Sequence, residues 1–165
     1  MNLKAFLTMP LSFLMMLFSL LLPARSEGIA VIHVSQRSAG FSREYKIDLA
    51  RKNLWEHAFY IGNGDIPRNE SAPFEGYRFA GRLNSTNIKA FLEAARAYGF
   101  AEWDAQYDGY QNSPGGLAPP GSGTELITII FSDGTTKTTL CSGAFPGTYN
   151  EMRAAFQALT GMDVL

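Results

Sequence analysis

The sequence predicts an α+β fold: an antiparallel sheet of about five to six strands with two amphipathic helices packed on one of its faces. Three observations predict it. Thr124 to Cys141 reads as two β-branched runs hinged on Asp133-Gly134, a strong hairpin signal because a tight reversal needs residues that tolerate positive φ. Ile88, Phe91, Leu92 and Ala95 recur at i, i+3, i+4 and i+7, and Met152, Ala155, Phe156 and Leu159 repeat that stripe near the end of the chain. Several short segments before the first helix alternate apolar and polar residues, the period of a half-buried strand.

The first 26 residues read as an address. Met1 to Lys4 gives a short positive start, Phe6 to Leu22 is rich in Leu, Met and Phe, and Ala24-Arg25-Ser26 puts small residues at the −3 and −1 positions of a cleavage site. The run is near the lower length for a membrane span, but Pro10, Pro23 and the A-x-S end favour a cleaved signal peptide over an anchor. The expected product is a periplasmic or secreted protein beginning at Glu27, with no stable membrane span after cleavage. Removing Lys4 and Arg25 leaves 12 basic against 15 acidic side chains, a charge of −3 over the 139 residues of one domain, 27–165. A weakly acidic surface without a basic patch excludes a nucleic-acid partner. One cysteine, Cys141, allows no internal disulfide, so packing alone must stabilise the domain.

Along the mature chain, Ile29 to Ser35 is apolar on both faces and suits a central strand. Tyr45, Ile47 and Leu49 alternate with Lys46 and Asp48, and after a turn at Arg51–Asn53, Trp55, His57, Phe59 and Ile61 alternate with Glu56, Ala58 and Tyr60. These segments read as an antiparallel meander. Gly62 to Glu75 is a polar loop broken by Gly and Pro, and Tyr77 to Leu83 alternates again as a fourth strand. The first helix takes Ser85 or Thr86 as its cap and ends at Gly99; Phe100 and Trp103 then anchor the chain in the core. Residues 104–123 lack any period and are dense in Gly and Pro, a long loop of the kind that is usually functional or disordered. In the hairpin, a two-residue turn would set Ile127, Ile129 and Phe131 opposite Leu140, Thr138 and Thr136; a three-residue turn with Gly134 in a bulge would set Leu126, Thr128 and Ile130 there instead. Thr148-x-x-Glu151 has the form of a capping box opening the second helix, which stops at Gly161.

The helix end FLEAARAYGF, Tyr107, and the hairpin TELITIIFSDGTTKT leading into EMRAAFQALTG resemble a group of small uncharacterised bacterial exported domains of unknown function. The resemblance implies an α+β fold; it implies no activity and supplies no catalytic residue.

Chemistry-bearing residues are few. Cys141 with His33 or His57 is the one combination that suits a thiol hydrolase, yet a cysteine nucleophile needs a base in hydrogen-bond reach, and both histidines sit inside strand patterns. The plainer reading of Cys141 is a small buried hydrophobe. Glu102, Asp104 and Asp108 lack the ligand order of a calcium loop, and the two histidines lack a zinc motif, so no metal and no cofactor is expected. The aromatics carry more. Tyr107 and Tyr110, with Asp108 between them, form a candidate binding surface for a protein or glycan of the cell envelope, while Trp103 reads as a core plug. The function expected is therefore a binding or inhibitory module; the alternative is a small hydrolase built on Cys141 and a histidine.

Overall fold

The structure, a computed structural model, describes residues 28–38, 41–60, 76–110 and 123–165. The expected leader, the whole 62–75 loop, Ile61, and residues 39–40 and 111–122 lie outside them. Seven strands, β1 (Ile29–Ser38), β2 (Phe41–Asp48), β3 (Asn53–Tyr60), β4 (Arg78–Arg82), β5 (Gln106–Asp108), β6 (Thr124–Phe131) and β7 (Thr136–Ser142), form one sheet. Their order is β4-β3-β2-β1-β6-β7-β5. Helix α1 (Ser85–Ala97) and helix α2 (Tyr149–Thr160) complete the α+β arrangement.

Strand β1 is the middle of the seven, as its apolar character on both faces requires. A register shift between Ile29 and Val31 turns Ile29 onto the same face as Ile32 and Val34, so that all three are buried. The meander β1-β2-β3-β4 pairs antiparallel throughout. Two features differ from expectation. The sheet has seven strands, more than the five to six anticipated, and it is mixed, because β5 runs parallel to β7. Strand β5 also lies inside the stretch expected to be irregular from 104 onward. It has only three residues, too few to show a period in the sequence.

At the β6–β7 hairpin the bulged register is the one observed: Leu126 faces Leu140, Thr128 faces Thr138 and Ile130 faces Thr136. Gly134 at φ 83° supplies the left-handed residue, its N–H donates to the Phe131 carbonyl, and Asp133 Oδ1 accepts from Thr135 N and Oγ1. With this register Ile127, Ile129, Phe131, Thr139 and Cys141 all point to the buried side.

Both helices cover that same side. Phe91 and Ala95 of α1 and Met152, Phe156 and Leu159 of α2 join Ile32, Ile47, Leu54, Ile127 and Ile129 in one cluster. Phe91, Phe100 and Phe156 meet at centroid separations of 4.8 to 6.2 Å, edge-to-face or tilted. Burying each such ring stabilises by roughly 1.5–3 kcal/mol. Trp103, 5 % exposed, packs on Phe100, as the sequence suggests.

The caps correct two local expectations. Helix α1 is capped by Asn84, whose side chain accepts from Thr86 N at 2.7 Å, instead of by Ser85 or Thr86. Thr148 precedes α2 but forms no capping box. Its hydroxyl accepts from Trp103 Nε1 at 3.0 Å and donates to the Tyr98 carbonyl at 2.9 Å. A tertiary demand, the buried indole N–H, outcompetes the local one. Thr148→Val is therefore expected to cost about 1–3 kcal/mol in urea denaturation, the penalty of an unpaired buried donor, whereas Glu151→Ala should stay within about 0.5 kcal/mol.

Candidate binding cleft

The hairpin register and the parallel β5 strand together build a cleft at one end of the sheet. Strand β5 pairs Gln106, Tyr107 and Asp108 with Leu140, Cys141 and Ser142, and Gly109 N donates to the Ser142 carbonyl at 2.8 Å. The chain then turns sharply, because Asp108 Oδ1 accepts from Tyr110 N at 2.8 Å, an Asx turn. Two glycines permit the approach. A Cβ on Gly109 would strike the Gly143 carbonyl, and a Cβ on Gly143, at φ 71°, would enter the Tyr110 ring. The ring of Tyr110 thus lies flush on the Gly143 backbone.

Beside it opens a cleft of about 350 Å³, bounded by Gln36, Arg37 and Ser38 at the end of β1, by Gly123, Thr124 and Glu125 at the start of β6, and by Tyr110, Gly143 and Phe145. That size falls at the lower end for small-ligand sites and suits one side chain or one ring. Phe145 is 47 % exposed and stacks on Tyr149 with centroids 4.3 Å apart. The Tyr149 hydroxyl donates to Glu125 Oε2 at 2.7 Å, and Gln36 Nε2 donates to Oε1 at 2.9 Å. Burial, with the Glu125 carboxylate as hydrogen-bond partner and neighbouring charge, raises the Tyr149 hydroxyl well above the usual phenol range, so it keeps its proton and remains a donor.

Of the three residues expected to bind, only Tyr110 lines the cleft. Asp108 sets the turn that holds it. Tyr107 packs its half-buried ring against the core and accepts from Asp104 N through its hydroxyl at 2.9 Å. Sequence reasoning missed Gln36, Arg37, Glu125 and Phe145. One signal for Glu125 was available: it occupies the first place in the inward series Glu125, Ile127, Ile129, Phe131, where a carboxylate is out of character.

The residues weighed for catalysis are not brought together. Cys141 is fully buried on the helix-covered face, opposite Glu125 in the register. Burial, and next the Glu125 charge, push its thiol up to about 11, far from the thiolate a nucleophile needs. His33 and His57 lie on the other face. His33 pairs with Lys46 and Thr128, and burial followed by the Lys46 charge hold its imidazole below the ordinary value, in the neutral form. His57 pairs with Glu44 and tilts against Tyr77 with centroids 5.5 Å apart. Among the described residues no group of three or more His, Cys, Asp and Glu side chains is placed to hold a metal ion, and no helix is long and apolar enough to cross a membrane. No protein-family model matches the chain, and neither does any curated protein or solved structure.

The state of the thiol has a measurable consequence. A raised folded-state pKa contributes stability that is present below the ordinary value near 9 and is lost as pH rises towards 11. Wild type should therefore lose more stability than Cys141→Ala over that window in chemical denaturation, and the native thiol should resist an aqueous thiol reagent at pH 8 until the protein unfolds.

Proposed function

We propose that this protein is an exported binding or inhibitory module of the cell envelope and that the cleft between Tyr110 and Phe145 is its recognition site. One observation carries the reading. Two aromatic rings, each with one face already packed on protein, flank an oriented carboxylate in a cleft, while the thiol and both imidazoles lie on opposite faces of the sheet. Rings immobilised in this way lose little freedom when a partner arrives, so their contact area converts efficiently into affinity. Thiol hydrolysis would need Cys141 beside a base, and the nearest imidazoles face away from it. The partner is a protein or a glycan of the envelope. Export rests on the leader composition of residues 1–26.

Two measurements test this. Protein purified from the envelope fraction should begin at Glu27 by intact mass; an unprocessed chain there would overturn the leader reading. Titrated with peptides and oligosaccharides of the envelope, the same protein should bind one class saturably, and Tyr110→Ala with Phe145→Ala should weaken that binding about tenfold or more at an unchanged thermal midpoint. Equal binding by the double variant would refute the cleft as the site.

A further inference from the structure

The Glu125 carboxylate is held by neutral donors, without a direct ion pair. Each oxygen is anchored by an uncharged donor, Gln36 Nε2 at 2.9 Å and the Tyr149 hydroxyl at 2.7 Å. No lysine or arginine among the described residues forms an ion pair with it. On the face of Glu125 the arginine in register is Arg43, one strand further across Gln36, and Arg153 of α2 adds its charge at longer range; Arg37, opposite Thr124, is one residue out of step with Glu125 and stands exposed at the edge of the cleft. A half-buried, fixed negative charge with neutral partners gains most from a cation delivered from outside.

The rest of the cleft has the same preference. Tyr110 rests one face on Gly143 and Phe145 one face on Tyr149, which leaves π density turned towards the opening. Ring faces attract ammonium and guanidinium groups, by about 0.5–2 kcal/mol each according to desolvation. Each Glu125 oxygen retains a lone pair for one further N–H. A volume of about 350 Å³ exceeds a bare ammonium group and accommodates a long side chain with its methylene stem along the rings.

We infer that the cleft receives the cationic side chain, lysine or arginine, of a peptide partner, with the charge on Glu125 and the stem against Tyr110 and Phe145. This rests on the reading of the cleft as the recognition site and names the chemistry it selects. Arg37, on the rim, opposes such a ligand, and that sets opposite signs for two substitutions. Glu125→Gln keeps the shape and can still bond Gln36 and Tyr149, but it removes the charge. Arg37→Gln removes the competing cation from an exposed position.

The test uses the full chain expressed with its leader and purified from the envelope, titrated by calorimetry with four probes: end-capped Gly-Arg-Gly, Gly-Lys-Gly and Gly-Glu-Gly, and a neutral trisaccharide of N-acetylglucosamine. The expected result is saturable binding of the arginine or lysine peptide. Glu125→Gln should weaken it about tenfold or more, Arg37→Gln should tighten it severalfold, and raising the salt should weaken it. No binding of either cationic peptide at millimolar concentration overturns the inference, and so does preference for the glutamate peptide. Should Glu125→Gln unsettle the fold, Arg37→Gln decides alone: weaker cationic binding there sinks the proposal. A trisaccharide that binds regardless of Glu125→Gln but is lost with Tyr110→Ala and Phe145→Ala overturns the charge and leaves the binding module standing. If the double aromatic variant changes nothing for any probe that binds, the module reading itself fails.

Discussion

A single extra residue in the β6–β7 turn decides what each face of this sheet contains. With Gly134 taken up as a bulge, Cys141 falls beside Glu125 on the helix-covered side, and Leu126 and Leu140 pair on the other. A two-residue turn would have moved every β7 side chain across, bringing Leu140 to the core and turning Cys141 outward. The thiol would then share a face with the imidazoles. Gly134 therefore governs more than a local reversal: it is the reason Cys141 is sealed on the helix-covered side, next to Glu125.

The elements that rest on local period were legible before any coordinates. Both helices follow from their i, i+3, i+4 stripes, and Phe91, Ala95, Met152, Phe156 and Leu159 are buried where the stripes place them. The central position of β1 follows from apolar residues on both of its faces. What escaped was set by partners distant in sequence. Strand β5 exists because β7 offers it a parallel edge, and three residues carry no period of their own. Thr148 carries the local signature of a cap, yet its hydroxyl serves the indole of Trp103, 45 residues earlier. The cleft gathers residues from β1, β6, the turn after β5 and the segment after β7, so no window of sequence contains it. Tyr110 was legible as an exposed aromatic next to a glycine-rich stretch; Phe145 and Gln36 were not, since their roles depend on Tyr149 and Glu125.

The cleft and the core are coupled through α2. Tyr149 opens that helix, stacks on Phe145, reaches Glu125 through its hydroxyl and lies 6.3 Å from Trp103, centroid to centroid. Trp103 in turn is tied through Thr148 to the carbonyl of Tyr98 at the end of α1. The same side chains that fix how the two helices meet also fix the orientation of the site. The orientation of its rings is thus set by side chains that belong to the core or pack against it, Trp103 and Tyr149.

The two outermost strands have a bearing on how the protein behaves in a crowded compartment. Strand β4 is five residues long, bears Arg78 and Arg82 at its ends and is bent by the irregular pairing of Leu54 and Trp55; β5 has three residues. Neither margin offers a long, flat row of unpaired amides, so lateral stacking of one copy onto another has little template to grow from.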